Sequence, residues 1–295
     1  MAPLLEGIIA ALTSPFVDDE VSIPKFEENI RKLNGTGLAG YLVLGSTGEC
    51  VSLSDAESEA LVRAARAVAA PGKALIAGTA RESTRLTVDF TNRMADSGID
   101  VALVRSPSYF KSRLTRDALK AHFLAVADKA RVPILVYNIP ANTGISLEAS
   151  LVIELSEHPN IIGLKESSGN IAYLGEVIRR VPPGFRYFLG SGSVFLPGLE
   201  LGACGAILAV ADAAPELCSK VYSLFCDGKL DEARKLQLDL IPLNKGIMEG
   251  TGIAGLKHAL DLRGYYGGPV RLPLLPPGET AKAGIAALMK GLGLV

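Results

Sequence analysis

The sequence predicts an α/β protein, a closed (β/α)8 TIM barrel followed by a C-terminal helical extension. Two observations in the 295 residues predict it: eight short apolar runs, and helical patterns between them at a spacing of about 20 to 35 residues. Runs that are apolar throughout, without polar alternation, are expected of parallel strands buried on both faces. Eight repeats of strand and helix favour closure, since open doubly wound sheets more often stop at five or six strands.

The first run, GIIAAL (7 to 12), lies inside the opening MAPLLEGIIAALTSPF. That stretch has no basic leader and is broken by Glu6 and Gly7, so it reads as the first strand and not as a signal peptide. The second run, GYLVLG (40 to 45), is preceded by GTGLAG (35 to 40), which fits the GxGxxG pattern. There, however, a helical pattern leads into a strand, the reverse of the order that seats a pyrophosphate on a helix N-terminus, and a dinucleotide is set aside. SDAESEALVRAARAVAA then reads as a helix with a Ser start and early acids, and ALIAG (74 to 78) as the third strand. VALV (101 to 104) is the fourth, TRDALKAHFLAVADKA the helix after it, and PILVYN (133 to 138) the fifth. IIGLK (161 to 165), RYFLG (186 to 190) and GAILAV (205 to 210) complete the eight. Beyond residue 211 only helical patterns remain, in APELCSKVYSLFCDG, KLDEARKLQLDLIPLNKGIM, GIAGLKHALDLRG and ETAKAGIAALMKG. They divide the chain into a catalytic barrel over 1–225 and a helical region over 226–295.

Composition narrows the function classes. A net charge of -1 with no run of five basic residues gives no attraction for nucleic acid. No stretch reaches the roughly 18 uninterrupted apolar residues of a membrane span, so a soluble, cytoplasmic protein is expected. Cys50, Cys204, Cys218 and Cys226 lack CxxC spacing and read as reduced thiols acting as small buried hydrophobes. His122, His158 and His258 stand apart from one another and from other ligands, so no metal site is expected and each reads as a surface or capping histidine.

In barrels of this kind chemistry gathers at the C-terminal ends of the strands. Here those ends read GSTGE after the second strand, RSPSYF after the fourth, YNIPANTG after the fifth, KESSGN after the sixth and GSGS after the seventh. Lys165 ends a run that should be buried, and desolvation disfavours its ammonium form, freeing an amine able to attack a ketone. A lysine reaching out to water, or pairing with Glu166, fits the position equally well. Tyr137 ends the neighbouring strand, where a phenol can shuttle protons for a Schiff base. GSTGE offers two hydroxyls and backbone N–H groups to a carboxylate, although a simple turn fits it too. GSGS suggests a phosphate site, an idea weakened by the glycine-poor ADAAPE after the eighth strand.

GSTGE, YNIPANTG, GLKESSG and GLKHALDLRGYYGGPVRLPL, in that order, resemble the dihydrodipicolinate synthase and N-acetylneuraminate lyase family over nearly the whole chain. The resemblance implies class I pyruvate aldolase chemistry with no cofactor beyond a lysine Schiff base, usually in a homotetramer. By position it implies Lys165 as the Schiff-base lysine, Tyr137 as its proton carrier, and Ser46 and Thr47 as the carboxylate cradle, with Thr47 in the proton relay. It further implies that Tyr109 reaches into a neighbouring subunit's site, that Gly190 and Ile207 contact pyruvate, and that Ser167 meets the far end of the substrate. Asn142 stands where synthases of the family carry an arginine for the aldehyde's carboxylate, and Gly192 and Ser193 stand where sialic acid lyases carry acids. PANTG, with Asn142 at that position, and GYYGGPVRLPL resemble the 4-hydroxy-2-oxoglutarate aldolases, and that resemblance implies an oxo-acid lyase cleaving 4-hydroxy-2-oxoglutarate to glyoxylate and pyruvate. The alternatives are a 4-hydroxy-tetrahydrodipicolinate synthase joining pyruvate to aspartate semialdehyde, a 2-oxo-3-deoxy sugar acid aldolase or dehydratase, and a catalytically silent pyruvate-binding barrel.

Overall fold

The computed structural model describes residues 5–295, so Met1–Leu4 of the opening stretch lie outside it. Eight parallel strands close into a barrel: β1 (Gly7–Ala11), β2 (Gly40–Val43), β3 (Ala74–Gly78), β4 (Val101–Arg105), β5 (Ile134–Asn138), β6 (Ile161–Glu166), β7 (Arg186–Leu189) and β8 (Gly205–Leu208). Each pairs with its neighbours in sequence, and β1 closes the ring against β8 through Gly7↔Gly205 to Ala10↔Leu208. Helices α1 (Ile23–Leu33), α2 (Asp55–Val68), α3 (Thr84–Asp96), α4 (Arg116–Lys129), α5 (Ala149–Leu155), α6 (Ile171–Ile178), α7 (Phe195–Glu200) and α8 (Pro215–Cys226) follow the strands. The extension holds α9 (Leu230–Asn244), a π turn (Lys245–Glu249), α10 (Gly252–Leu262) and α11 (Glu279–Gly291).

Four of these helices start at a residue whose side-chain oxygen accepts from their free N–H groups. Ser54 accepts from Glu57 N while the Glu57 carboxylate accepts from Ser54 N, a complete capping box at α2. Ser83, Thr115 and Asn170 cap α3, α4 and α6 by the first of these bonds alone, accepting from Leu86 N, Ala118 N and Tyr173 N.

Two apolar layers hold the barrel. Ile8, Ala10, Val43, Ala102, Val104, Val136 and Leu164 face outward into the helix layer, whereas Ile9, Leu42, Ile76, Leu103, Leu135, Phe188 and Ile207 fill the interior. Alternation along each strand decides which residue joins which layer. One irregularity changes that bookkeeping on β6. Ile134 pairs with Ile161 but Leu135 pairs with Gly163, so Ile162 is an extra residue in the ladder. Without it Tyr137 would oppose Leu164; with it Tyr137 opposes Lys165. Since a one-residue slip exchanges the two faces, this bulge is what turns Lys165 inward.

Several expectations need correction. The strands stop short of the apolar runs at 44–45 and 209–210, the first because Leu44 takes a left-handed backbone (φ 58°) that ends the ladder. β4 and β6 run one residue further than expected, to Arg105 and Glu166. A short hairpin, Phe16–Val17 with Glu20–Val21, was not expected; Asp18 and Asp19, both at positive φ, form its turn. His122 is not at the surface: it is buried between α3 and α4, 2.9 Å from Thr84 Oγ1, and burial lowers its pKa to about 4. Of the cysteines only Cys218 is fully buried; Cys226 is exposed because it falls on the outer face at the end of α8, and Cys50 and Cys204 are half-buried at strand and loop ends. GTGLAG forms the turn from α1 into β2. Among the described residues no helix is long and apolar enough to cross a membrane.

Candidate active site

The C-terminal ends of the strands surround a cavity of about 370 Å³. Ser46, Thr47, Tyr137, Asn142, Lys165, Ser167, Gly190 and Ile207 all line it, so eight of the nine residues singled out from the sequence meet at one place. Tyr109 does not: it stands on the outer rim, 79% exposed, with its ring edge-on to Phe110. In this chain it takes no part in lining the cavity.

Lys165 is the only charged side chain lining the cavity among the described residues. It is 4% exposed, and burial alone brings its pKa down from 10.5 to about 7. Its Nζ lies 4.5 Å from the centroid of the Tyr137 ring. Glu166 does not pair with it. As the next residue on the strand it faces the other way, where its carboxylate accepts from Ser168 N (2.7 Å) and Asn138 Nδ2 (3.3 Å). Burial thus favours the neutral amine of Lys165 far more than in an exposed lysine.

Tyr137 comes from the adjacent strand, in register with Lys165. Burial pushes its phenol up to about 12, an effect opposed by the hydrogen-bonding hydroxyls of Ser167 and Ser46 beside it. A phenol that stays protonated between two hydroxyls can pass a proton along them.

Ser46 and Thr47 sit in a tight 3-10 turn (Ser46–Gly48) between two non-glycine residues of positive φ, Leu44 (58°) and Glu49 (53°). Such backbone is sparsely populated and persists only where its surroundings hold it. Two ties hold this turn: Ser14 Oγ donates to Gly48 O (2.7 Å), and Glu49 is engaged from beneath by Lys257 and by Arg271 N. Gly190 is required by close approach, since a Cβ there would lie 1.9 Å from Ser167 Oγ. The GSGS segment is not an open anion loop. Gly192 O accepts from Gln237 Nε2 (2.8 Å) and Ser193 Oγ from Asn244 Nδ2 (3.0 Å), which bind it to α9.

The strand ends alone do not reveal the rest of the lining. Met248 and Thr251 come from the π turn and the start of α10, and Leu274 and Leu275 from the segment before α11. These residues arrive from 80 or more positions away, and only the π turn carries a local signal, the unusual IPLNKGIMEG composition. A larger cavity of about 750 Å³ between α9 and α11 is lined by apolar and small residues with no titratable group. Among the described residues no cluster of three His, Cys, Asp or Glu is arranged to hold a metal ion.

The same fold is found in known proteins. Residues 4–292 match the dihydrodipicolinate synthetase family. The chain is 36% identical over 275 residues to the 4-hydroxy-tetrahydrodipicolinate synthase of Methanoculleus marisnigri, covering 92% of this chain and 94% of that one. With the enzyme of the same name from Exiguobacterium sp. it shares 33% over 288 residues, covering 97% and 98%. Among solved structures, dihydrodipicolinate synthase from Aquifex aeolicus superposes with a TM-score of 0.93 at 30% identity, covering 98% of this chain and 99% of that one. The Acinetobacter baumannii enzyme complexed with pyruvate superposes with a TM-score of 0.94 at 27% identity, covering 99% and 100%.

Proposed function

The chain belongs to the dihydrodipicolinate synthetase family, carbon–carbon lyases of the class I aldolase type, and from that membership we propose that Lys165 forms a Schiff base with pyruvate and adds its enamine to an aldehyde that bears a carboxylate. The observation that carries this reading is the buried Lys165 lining the cavity, in register with Tyr137 and with no carboxylate partner among the described residues. The names of the relatives favour pyruvate and aspartate semialdehyde as the pair, the reading held above as an alternative, over cleavage of 4-hydroxy-2-oxoglutarate. One observation speaks for the second reading: Asn142, not arginine, lines the aldehyde side of the cavity.

In the proposed sequence the Lys165 lone pair attacks C2 of pyruvate and a proton passes to the carbinolamine oxygen, which departs as water. Tyr137 is the donor, relayed through Ser46 and Thr47. Loss of a C3 proton from the iminium to the Tyr137–Thr47 relay gives the enamine, whose carbon bonds to the aldehyde carbon while the new alkoxide takes that proton back; water then adds to the remaining iminium and frees the product and Lys165. The iminium is itself the electron sink, so the chemistry needs neither metal nor organic cofactor. The Ser46–Thr47 turn and its N–H groups suit the pyruvate carboxylate. Tyr109 and Phe110, exposed at the rim, support a homotetramer in which Tyr109 enters a neighbouring cavity.

Borohydride reduction with pyruvate, followed by peptide mass spectrometry, is expected to add the reduced pyruvate to Lys165. An adduct elsewhere, or none, rejects the mechanism. Steady-state rates with pyruvate plus aspartate semialdehyde, set beside cleavage of 4-hydroxy-2-oxoglutarate, then decide the aldehyde: the faster reaction by kcat/KM is the function.

A further inference from the structure

The proposed aldehyde carries a carboxylate, yet the main cavity offers it no cation beyond Lys165, which the Schiff base consumes. A second recess of about 300 Å³ adjoins the cavity and shares Ser46, Asn142, Ile253 and Leu274 with it. Two charged residues line this recess, Glu49 and Arg105. Glu49 is spent on Lys257, 2.6 Å away, and on Arg271 N. Arg105 is the last residue of β4, and its inward direction follows from alternation, because Val101 and Leu103 on the same strand belong to the interior layer. It is in register with Tyr137, and Tyr137 with Lys165. Two strand spacings separate the Cα atoms of Arg105 and Lys165, about 10 Å. That distance suits a substrate whose two carboxylates flank the carbon bound to the lysine.

Both side-chain hydrogen bonds of the guanidinium leave from Nη1, to Glu82 Oε1 (3.2 Å) and Ser106 O (2.8 Å). Nε and Nη2 find no acceptor among the described residues, which leaves one edge of a planar fork suited to bidentate capture of a carboxylate. The Glu82 carboxylate is shared in turn, accepting also from Ser108 N and Tyr109 N at 2.9 Å each. Its hold on Arg105 is therefore divided.

Resting on the pyruvate Schiff-base reading, we infer that Arg105 is the specificity-determining anchor for the carboxylate of the aldehyde component, received in the recess beside Asn142. It replaces from strand β4 the cation that Asn142 does not supply from the loop after β5.

The test compares condensation of pyruvate with a carboxylate aldehyde (glyoxylate, aspartate semialdehyde or succinic semialdehyde) and with the methyl ester of succinic semialdehyde. Arg105→Gln is expected to lower kcat/KM for the carboxylates by about ten- to a hundredfold, through KM, the range for loss of a charged hydrogen bond, and to leave the ester unchanged. Arg105→Lys, which keeps the charge but not the fork, should restore only part of the loss. Equal losses on acid and ester mean a structural role and overturn the inference, as does no loss on either. Glu82→Gln guards against a variant that fails to fold: it frees the guanidinium while keeping the cation, so the preference for acid over ester should hold or grow, and its collapse would overturn the anchor. Borohydride trapping of pyruvate on Lys165 is run on each protein. If the unmodified protein does not trap, the Schiff-base reading fails; if trapping persists while acid and ester respond alike, only the Arg105 inference fails.

Discussion

Lys165 and Lys257 are the same residue in nearly the same degree of burial, 4% and 1% exposed, and each ammonium lies over an aromatic ring, 4.5 Å from Tyr137 and 4.4 Å from Phe16. Their partners differ. Lys257 on α10 meets Glu49 Oε1 at 2.6 Å and donates to Pro269 O at 2.6 Å; Lys165 meets no carboxylate among the described residues. Burial lowers the pKa of both, but at Lys257 the Glu49 charge opposes the shift. A buried ammonium with a carboxylate and a carbonyl is a fastening, and one without them is a base awaiting a substrate.

The fastening serves the base. Glu49 ends the strained turn that carries Ser46 and Thr47, and its other oxygen accepts from Arg271 N. Arg271 stacks its guanidinium 4.4 Å from the same Phe16 ring and pairs with Glu57 and Asp19. The C-terminal region is thereby tied to the turn that carries Ser46 and Thr47.

The largest expected effect separates the two lysines by activity. Lys165→Met should remove turnover by a factor on the order of 10⁶, the scale seen for loss of a covalent nucleophile. Lys257→Met, measured below its own unfolding range, should keep a readable fraction and raise KM for pyruvate as the turn loosens. If Lys257→Met lost activity as fully as Lys165→Met with its fold intact, the division of roles between them would be wrong.

Stability should sort them the other way. Removing one partner of a buried pair costs about 3–5 kcal/mol, so Lys257→Met should lower the urea midpoint sharply. Adding Glu49→Gln, which removes the stranded charge but can still accept from Arg271 N, should recover about half of the loss. No recovery in the double variant would mean that the lysine stem's packing, not the charge, fastens the region.

The sequence carried this contrast only in part. Lys165 and Tyr137 were legible because they lie one residue from the ends of β6 and β5, and strand ends are local features. The Ile162 bulge that brings them into register was not, since an extra residue in an apolar run leaves the run apolar. Arg105 was hidden by a boundary: ending the fourth strand at Val104 made it a loop residue, although alternation from Val101 and Leu103 turns it inward. Glu49 read as one more turn residue in GSTGE, because its partner is 208 positions away and a pairing across that distance leaves no local trace. Thr251, Leu274 and Leu275 were missed for the same reason.

The smallest effect is a matter of pH, and its sign distinguishes an uncompensated lysine from a fastened one. In the folded chain Lys165 titrates near 7; unfolded, it returns to about 10.5. Between those values the unfolded state binds the extra proton, so stability rises with pH across the window. Below pH 7 the penalty of burying the amine is present in full. Lys165→Met, which removes the penalty, should then be more stable than the native chain by on the order of 1–4 kcal/mol below pH 7, and the advantage should fade between pH 7 and about 10.5. The same titration should appear in the native enzyme as an acid limb in kcat/KM, falling about tenfold for each pH step below 7 because only the free amine attacks. Denaturant midpoints of the two proteins at pH 6, 8 and 10 test this. A difference that stayed constant across that range would show that the lysine folds without a shifted pKa, and would remove the electrostatic ground for distinguishing Lys165 from Lys257.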